Sequence, residues 1–284
     1  MRFFFITTDH LDSKIWFRDK SDYVVGMNYV AVISFAKKIK VITFILMSNH
    51  VHFLLQCTKE EAREFISAFK ALYGKYYCQK YGTKRFMCRN KIDIREITIE
   101  NEALERVVAY IQMNSVAARI SLEAGGYKWG TGACFFNDNR PWGKRLGDFS
   151  RRSQIRLLKS NVKLPQDWRI SEDGYVLPES YVCIEFVQRL FKTPSRMMYF
   201  LHNSSKAKLV GGKVAPSFKD EIVLEVAKDL CRTLYFKKTF TYLTEEELTD
   251  LVKQLSRRLS ADAHQICRVL GLSYVEVTRL LDRV

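Results

Sequence analysis

The chain has 284 residues, 47% hydrophobic and 27% charged, with 13 Gly and 5 Pro; this gives little support to disordered and low-complexity classes and suffices for one large domain or two to three small ones. Lys and Arg number 46 against 31 Asp and Glu, a net charge of +15 that favours a polyanionic partner. The longest apolar runs, 41–47 and 51–55, fall far short of the roughly 20 residues a spanning helix needs, and "MRFFFITTDH" turns polar too early for a signal-peptide core, so a cytoplasmic protein with no membrane partner is expected.

The elements follow in chain order. Residues 2–8 are a β-prone run, and Tyr23, Val24, Met27, Val30, Ala31 and Phe35 then recur at helical spacing, with Ser21 or Asp22 as cap. "KVITFILM" and "HVHFLLQ" are two strands joined by a tight turn at Ser48 and Asn49. A helix starts at Thr58, which with Glu61 has the capping-box pattern, and ends at Gly82. A strand is expected near residues 87–94, then a helix from about Asn101 to Glu123, closed by Gly125 and Gly126.

That order predicts an α+β fold for residues 1–150, an antiparallel sheet with helices packed on it, ferredoxin-like in plan. Residues 129–152 show no clear period and 151–215 form a helical connecting region, with "ESYVCIEFVQRLF" a helix and "LHNSSKAKLVGGKVAPS" the linker. A C-terminal helical module occupies 216–284. Basic residues outnumber acidic ones by 23 to 15 in residues 1–150 and 12 to 5 in 151–215, but balance at 11 each in 216–284. The seven cysteines show no CxxC spacing, so reduced thiols are expected rather than disulfides or a cysteine zinc site.

Within "MSNHVHFLLQ", alternation puts His50 and His52 on one face of a strand and Val51, Phe53 and Leu55 on the other. Two imidazoles so placed can share a cation. Tyr110 and Asn114, four apart in "AYIQMNSVAARI", lie on one helical face at the edge of an apolar stripe. Packed histidines, a packed ring and a boundary amide are the plain alternatives. "KALYGKYYCQKYGTKRFMCRN" interleaves tyrosines with cations: either a base-stacking surface or a helix that buries its tyrosines. Lys84, Arg85 and Arg89, beyond the helix, are the expected DNA contacts.

Taken together, "FFITTDHLDSKIWFRDKSDY", "FILMSNHVHFLLQ", "YIQMNSVAARI" and "YKWGT" resemble the IS200-type Y1 transposases, above all the REP-associated tyrosine transposases, which are HUH single-strand nucleases. The resemblance spans about the first 150 residues. It implies His50 and His52 as metal ligands, Tyr110 as the nucleophile and Asn114 as the third ligand. It implies magnesium or manganese as the divalent cation, where imidazoles alone would suit zinc or nickel. It also implies a 5′-phosphotyrosine intermediate, transposition at hairpin-bearing single-stranded DNA ends, and a homodimer. Ser48 and Ser115 stand where the family usually has Pro, and "VAAR" replaces its "VRAG" form. The rival expectation is a non-catalytic DNA-binding regulator that keeps the fold; RNA is a third possible ligand.

In the C-terminal module, Thr244 and Glu247 form a capping box and "HQICRVLGLSYVEVTRLL" breaks at Gly271 like a helix-turn-helix. It is similar to the duplex-binding module of replication initiators and regulators, which would place Ser273, Tyr274, Glu276 and Arg279 on a recognition helix. A trihelical packing module without a DNA role is the alternative.

Overall fold

The computed structural model of the chain describes residues 2–8, 15–84, 86–87, 91–139, 141–204, 220–259 and 261–282. Strand β1 (Phe3–Thr8) leads to helix α1 (Lys20–Ala36), the hairpin β2 (Lys40–Leu46) and β3 (Val51–Gln56), helix α2 (Lys59–Tyr81) and strand β4 (Ile92–Ile97). The strands form one antiparallel sheet in the order β2-β3-β1-β4. The fold is α+β. Strand β4 lies some residues later than its apolar pattern suggests.

Alternation along β3 divides the core. Phe53 points toward α2, its ring 5.1 Å from Phe65 and 5.6 Å from Phe69. Helix α2 has the expected capping box, with Thr58 N donating to Glu61 Oε2 at 2.8 Å and Glu61 N to Thr58 Oγ1 at 3.2 Å, and it closes on Gly82. Two of its tyrosines serve the interior. Tyr73 and Tyr77 are buried and donate to the carbonyls of Trp16 (2.7 Å) and Ile15 (3.2 Å), so the helix buries these two rings rather than offering them to bases.

The cap of α1 differs from expectation. Asp19 caps it, accepting from Asp22 N at 3.0 Å, while Asp22 turns inward and its side chain is wholly buried. There it accepts from Arg18 N (2.8 Å), Tyr76 Oη (3.0 Å), Tyr81 Oη (2.7 Å) and Lys80 Nζ (2.7 Å). Four donors explain how a carboxylate sits inside.

After β4 come α3 (Ala103–Gln112) and α4 (Asn114–Ala117), linked by Met113 N to Ala109 O and Ala117 N to Met113 O. The helix stops well short of Glu123. Ile120 N and Ser121 N fold back onto Ser115 O (2.9 and 3.3 Å), with Arg119 left-handed at φ 57°, which satisfies the end carbonyls early.

The aperiodic stretch that follows has a structural task. Leu46 N donates to Trp129 O (2.8 Å) and Thr131 N to Phe44 O (3.1 Å), so "WGT" runs antiparallel along the outer edge of β2. A Cβ at Gly130 would stand 3.0 Å from Phe44 O, a separation only glycine tolerates well. Cys183 N donates to Val41 O farther along that edge.

A short antiparallel pair, β5 (Lys144–Arg145) with β6 (Arg169–Ile170), and the helix between them, α5 (Arg151–Leu158), bring Leu146, Leu158, Leu164, Ile170 and Val176 against Ala31 and Val32 of α1. Helices α6 (Ile184–Phe191) and α7 (Pro194–His202) follow, and Phe186 stacks on Phe3 at 5.3 Å from the sheet's other face. Most of the proposed linker lies outside the described residues.

Helices α8 (Asp220–Thr233), α9 (Glu245–Leu259), α10 (Ala263–Leu270) and α11 (Tyr274–Asp282) build a second core from Val223, Ala227, Leu251, Leu255, Ile266, Val277 and Leu280, joined by Ile15. Helix α10 ends on Gly271 at φ 73°. Cys57, Cys78, Cys134, Cys183, Cys231 and Cys267 are free thiols, and Cys88 lies outside the described residues. Among the described residues, no helix is long and apolar enough to cross a membrane.

Candidate functional site

The β2–β3 turn closes with Met47 N donating to His50 O at 2.9 Å, and alternation then turns both histidines to the face opposite Phe53. His50 and His52 are buried with ring centroids 4.8 Å apart, nearly perpendicular. The register carries that face across the sheet: His52 stands opposite Ile45 on β2 and Thr7 on β1, and Thr7 opposite Asp93 on β4.

Helix α3 packs over this face. Its Tyr110 ring lies 5.8 Å from His52 and 5.9 Å from Phe5, edge-on to both, and Phe5 stacks on His52 at 5.7 Å. A histidine from the β2–β3 turn, a histidine from β3 and a half-buried tyrosine from a helix thus meet, although 58 positions separate His52 from Tyr110. Asn114, one turn later and buried, donates through Nδ2 to Tyr110 O (2.8 Å) and Ile111 O (3.2 Å), which leaves Oδ1 as its remaining acceptor.

Three positioning features escape sequence reading. Asn49 was legible only as a turn residue. Its Oδ1 lies 2.8 Å from His50 Nδ1; an amide oxygen can only accept, so the imidazole is the donor in this bond. Gln112 falls within the apolar stripe of α3, yet its Nε2 donates to Thr131 Oγ1 (2.8 Å) and to Thr43, and Thr43 and Thr131 share a 2.7 Å bond. This buried knot pins α3 to β2 two residues after Tyr110. The one sequence signal is a glutamine among apolar neighbours.

Arg95 is the third. It stands on β4 opposite Phe5, held by Nε to Asp93 Oδ2 at 2.6 Å. Burial pushes the Tyr110 phenol above its ordinary value near 10, and the Arg95 guanidinium pulls part of the way back. Charge alternation on a strand gives no hint of such a role.

Among the described residues, no group of three or more His, Cys, Asp or Glu could hold a metal ion. The available donor set is mixed: two imidazoles, which suit zinc or nickel, and the Asn114 amide oxygen, which suits magnesium or manganese. The residue types fit a divalent cation.

The expected DNA contacts are dispersed. Lys84 lines an open cavity of about 480 Å³ with Lys70, Lys75, Phe86 and Ile92, between α2 and β4. Arg85 and Arg89 lie outside the described residues. In the C-terminal module, Ser273 Oγ accepts from Glu276 N at 3.2 Å as α11 begins. Tyr274, half exposed, stacks on His264 at 4.5 Å, and Arg279 is paired with Glu245 at 3.0 Å. Compared with family models, with curated proteins and with solved structures, the chain gives no match.

Proposed function

We propose that the chain is a metal-dependent single-strand DNA transposase of the tyrosine type, an HUH endonuclease that cleaves and rejoins DNA at hairpin-bearing ends. The observation that carries this reading is the meeting of His50, His52 and Tyr110 on one sheet face, with His52 4.8 Å from one ring and 5.8 Å from the other. The β-α-β-β-α-β order of the first six elements supports a ferredoxin-like nuclease domain beneath it.

His50, His52 and Asn114 would hold the cation, magnesium or manganese by the resemblance, and it would supply charge to polarise the scissile phosphodiester. Tyr110 Oη attacks the phosphorus, the bond to the 3′-oxygen breaks, and the leaving oxygen takes up a proton to become a free 3′-hydroxyl. The 5′-phosphotyrosine so formed keeps the bond energy for rejoining. Arg95 favours the phenolate that this attack needs. Phe5 covers His52 and fixes its ring. The chain acts as a homodimer on this reading, as the resembled family does.

The helices after Gly271 and before it suit a helix-turn-helix on duplex DNA, with Tyr274 outward on α11. Arg279 would have to exchange Glu245 for phosphate or a base edge. One observation favours the rival reading of a non-catalytic regulator: burial disfavours the ionised form of Tyr110.

A covalent-trapping assay decides between them. Protein incubated with Mg²⁺ or Mn²⁺ and single-stranded hairpins copied from DNA flanking the gene is expected to give a DNA-shifted band on a denaturing gel. Binding without an adduct, with every hairpin and either metal, would favour the regulator. Asn49→Ala removes the amide oxygen that accepts from His50 Nδ1. It is expected to weaken Mn²⁺ binding by about tenfold, read by calorimetry; unchanged affinity would remove Asn49 from the site.

A further inference from the structure

We propose that the C-terminal helices hold the histidine-bearing turn in position, with Asp220 a positioning residue that acts on His50 and His52 through Ser48. The inference rests on the metal-site reading above. Asp220 opens α8, and its side chain is wholly buried. It accepts from Ser48 Oγ, from Gln265 Nε2 at 2.8 Å, and from Arg268 Nε and Nη2 at 3.0 and 3.2 Å. One carboxylate thus ties α8 and α10 to a residue two positions before His50.

Ser48 is gripped at both ends. Its carbonyl accepts from Trp16 N (2.7 Å) and Phe17 N (3.0 Å) while its hydroxyl reaches Asp220, so the turn is clamped between the sheet domain and the C-terminal core. Ile15, next to Trp16, is buried in that second core. A separate tie reaches the other half of the site: Arg119, just past α4, pairs at 3.7 Å with Asp262, the N-cap of α10. The module therefore touches the segment leading into the histidines and the segment leading out of the Tyr110 helix.

A buried ion pair contributes little net stability but penalises every docking geometry that leaves it unpaired. A tethered DNA-binding unit has no use for such a tie against a turn of the sheet. A unit that sets where His50 and His52 stand does. It also gives Ser48 a task that Pro, lacking a hydroxyl, could not perform.

The test uses the full chain with Mn²⁺ as probe. Ser48→Ala, Asp220→Ala and the double variant are titrated with Mn²⁺ by electron paramagnetic resonance, and amide exchange is followed over residues 15–18 and 46–52. Each single variant is expected to weaken Mn²⁺ binding by about tenfold and to speed exchange at Trp16 and Phe17, the double variant matching the worse single one because both act through one contact. Ser48→Ala leaves Asp220, Gln265 and Arg268 bonded, so it remains informative if Asp220→Ala unfolds. Unchanged Mn²⁺ affinity and exchange in Ser48→Ala, or losses that multiply in the double variant, would overturn the proposal. Should the wild type take up no Mn²⁺, the metal-site reading fails separately, and exchange over 46–52 in Ser48→Ala still decides whether Asp220 holds the turn.

Discussion

Tyr110→Phe is expected to abolish the covalent DNA adduct while leaving hairpin binding and Mn²⁺ uptake within about twofold of wild type. The substitution removes one oxygen and keeps the ring that packs edge-on to His52 and Phe5. A nucleophile has no substitute in this mechanism: without Oη no phosphotyrosine can form. An adduct that persisted would transfer the role to another residue and sink the assignment.

The pH dependence follows from the same phenol. Burial raises its pKa above 10 and Arg95 offsets part of the rise, so at neutral pH the neutral form dominates. The reactive phenolate then grows about tenfold per pH unit until the pKa is passed, and adduct formation should climb from pH 7 to 9. Arg95→Gln removes the offset. Its curve should shift to higher pH, with the deficit largest at pH 7 and recovered by alkali; a uniform deficit across the range would give Arg95 a purely DNA-holding role.

Asp22→Ala should have the largest effect on stability of any substitution away from the site. It takes away the acceptor of the Tyr76 and Tyr81 hydroxyls and of Arg18 N, and leaves Lys80 Nζ with Asp19 and Ser21 alone. Burial works against the charge on Lys80, and hydrogen bonds to Asp19 and Asp22 outweigh it; the part that Asp22 supplies is lost in the variant. A buried donor left unsatisfied costs about 1–3 kcal/mol, and Lys80, partly exposed, keeps Asp19, so a total loss of about 3 kcal/mol is expected. For a domain of this size that is a fall of about 10 °C in Tm, measurable by calorimetry. A fall under about 2 °C would mean that the four donors find water instead. DNA affinity of whatever remains folded should be unchanged, since Asp22 itself is wholly buried.

Much of the candidate site's local geometry was legible because it rests on short-range periodicity. The alternation around His50 and His52 and the four-residue step from Tyr110 to Asn114 each follow from one element's geometry, and both hold in the fold. What escaped depends on pairing between distant segments. Arg95 reaches the Tyr110 face because β4 pairs with β1 in one register, and one residue of slip would turn it to the α2 side. Asp22 read as a surface cap since nothing local announces the tyrosines of α2 that solvate it. The stop of the Tyr110 helix was misjudged for a similar reason, because the backward bonds onto Ser115 O compete with helical ones and no Gly or Pro marks the place.

The segment along β2 has a consequence for handling the protein. Residues 40–46, "KVITFIL", are a β-branched, nearly uncharged run of the type that recruits further strands when its edge is bare. Trp129, Thr131 and Cys183 occupy that edge with backbone bonds. The sheet's opposite border, β4, defends itself differently, with Asp93, Arg95 and Glu96 among six residues. A fragment cut before Tyr127 would keep both histidines and Tyr110 yet uncover the sticky side, so insolubility of such a piece would report on a missing cover strip rather than on a sheet that fails to form.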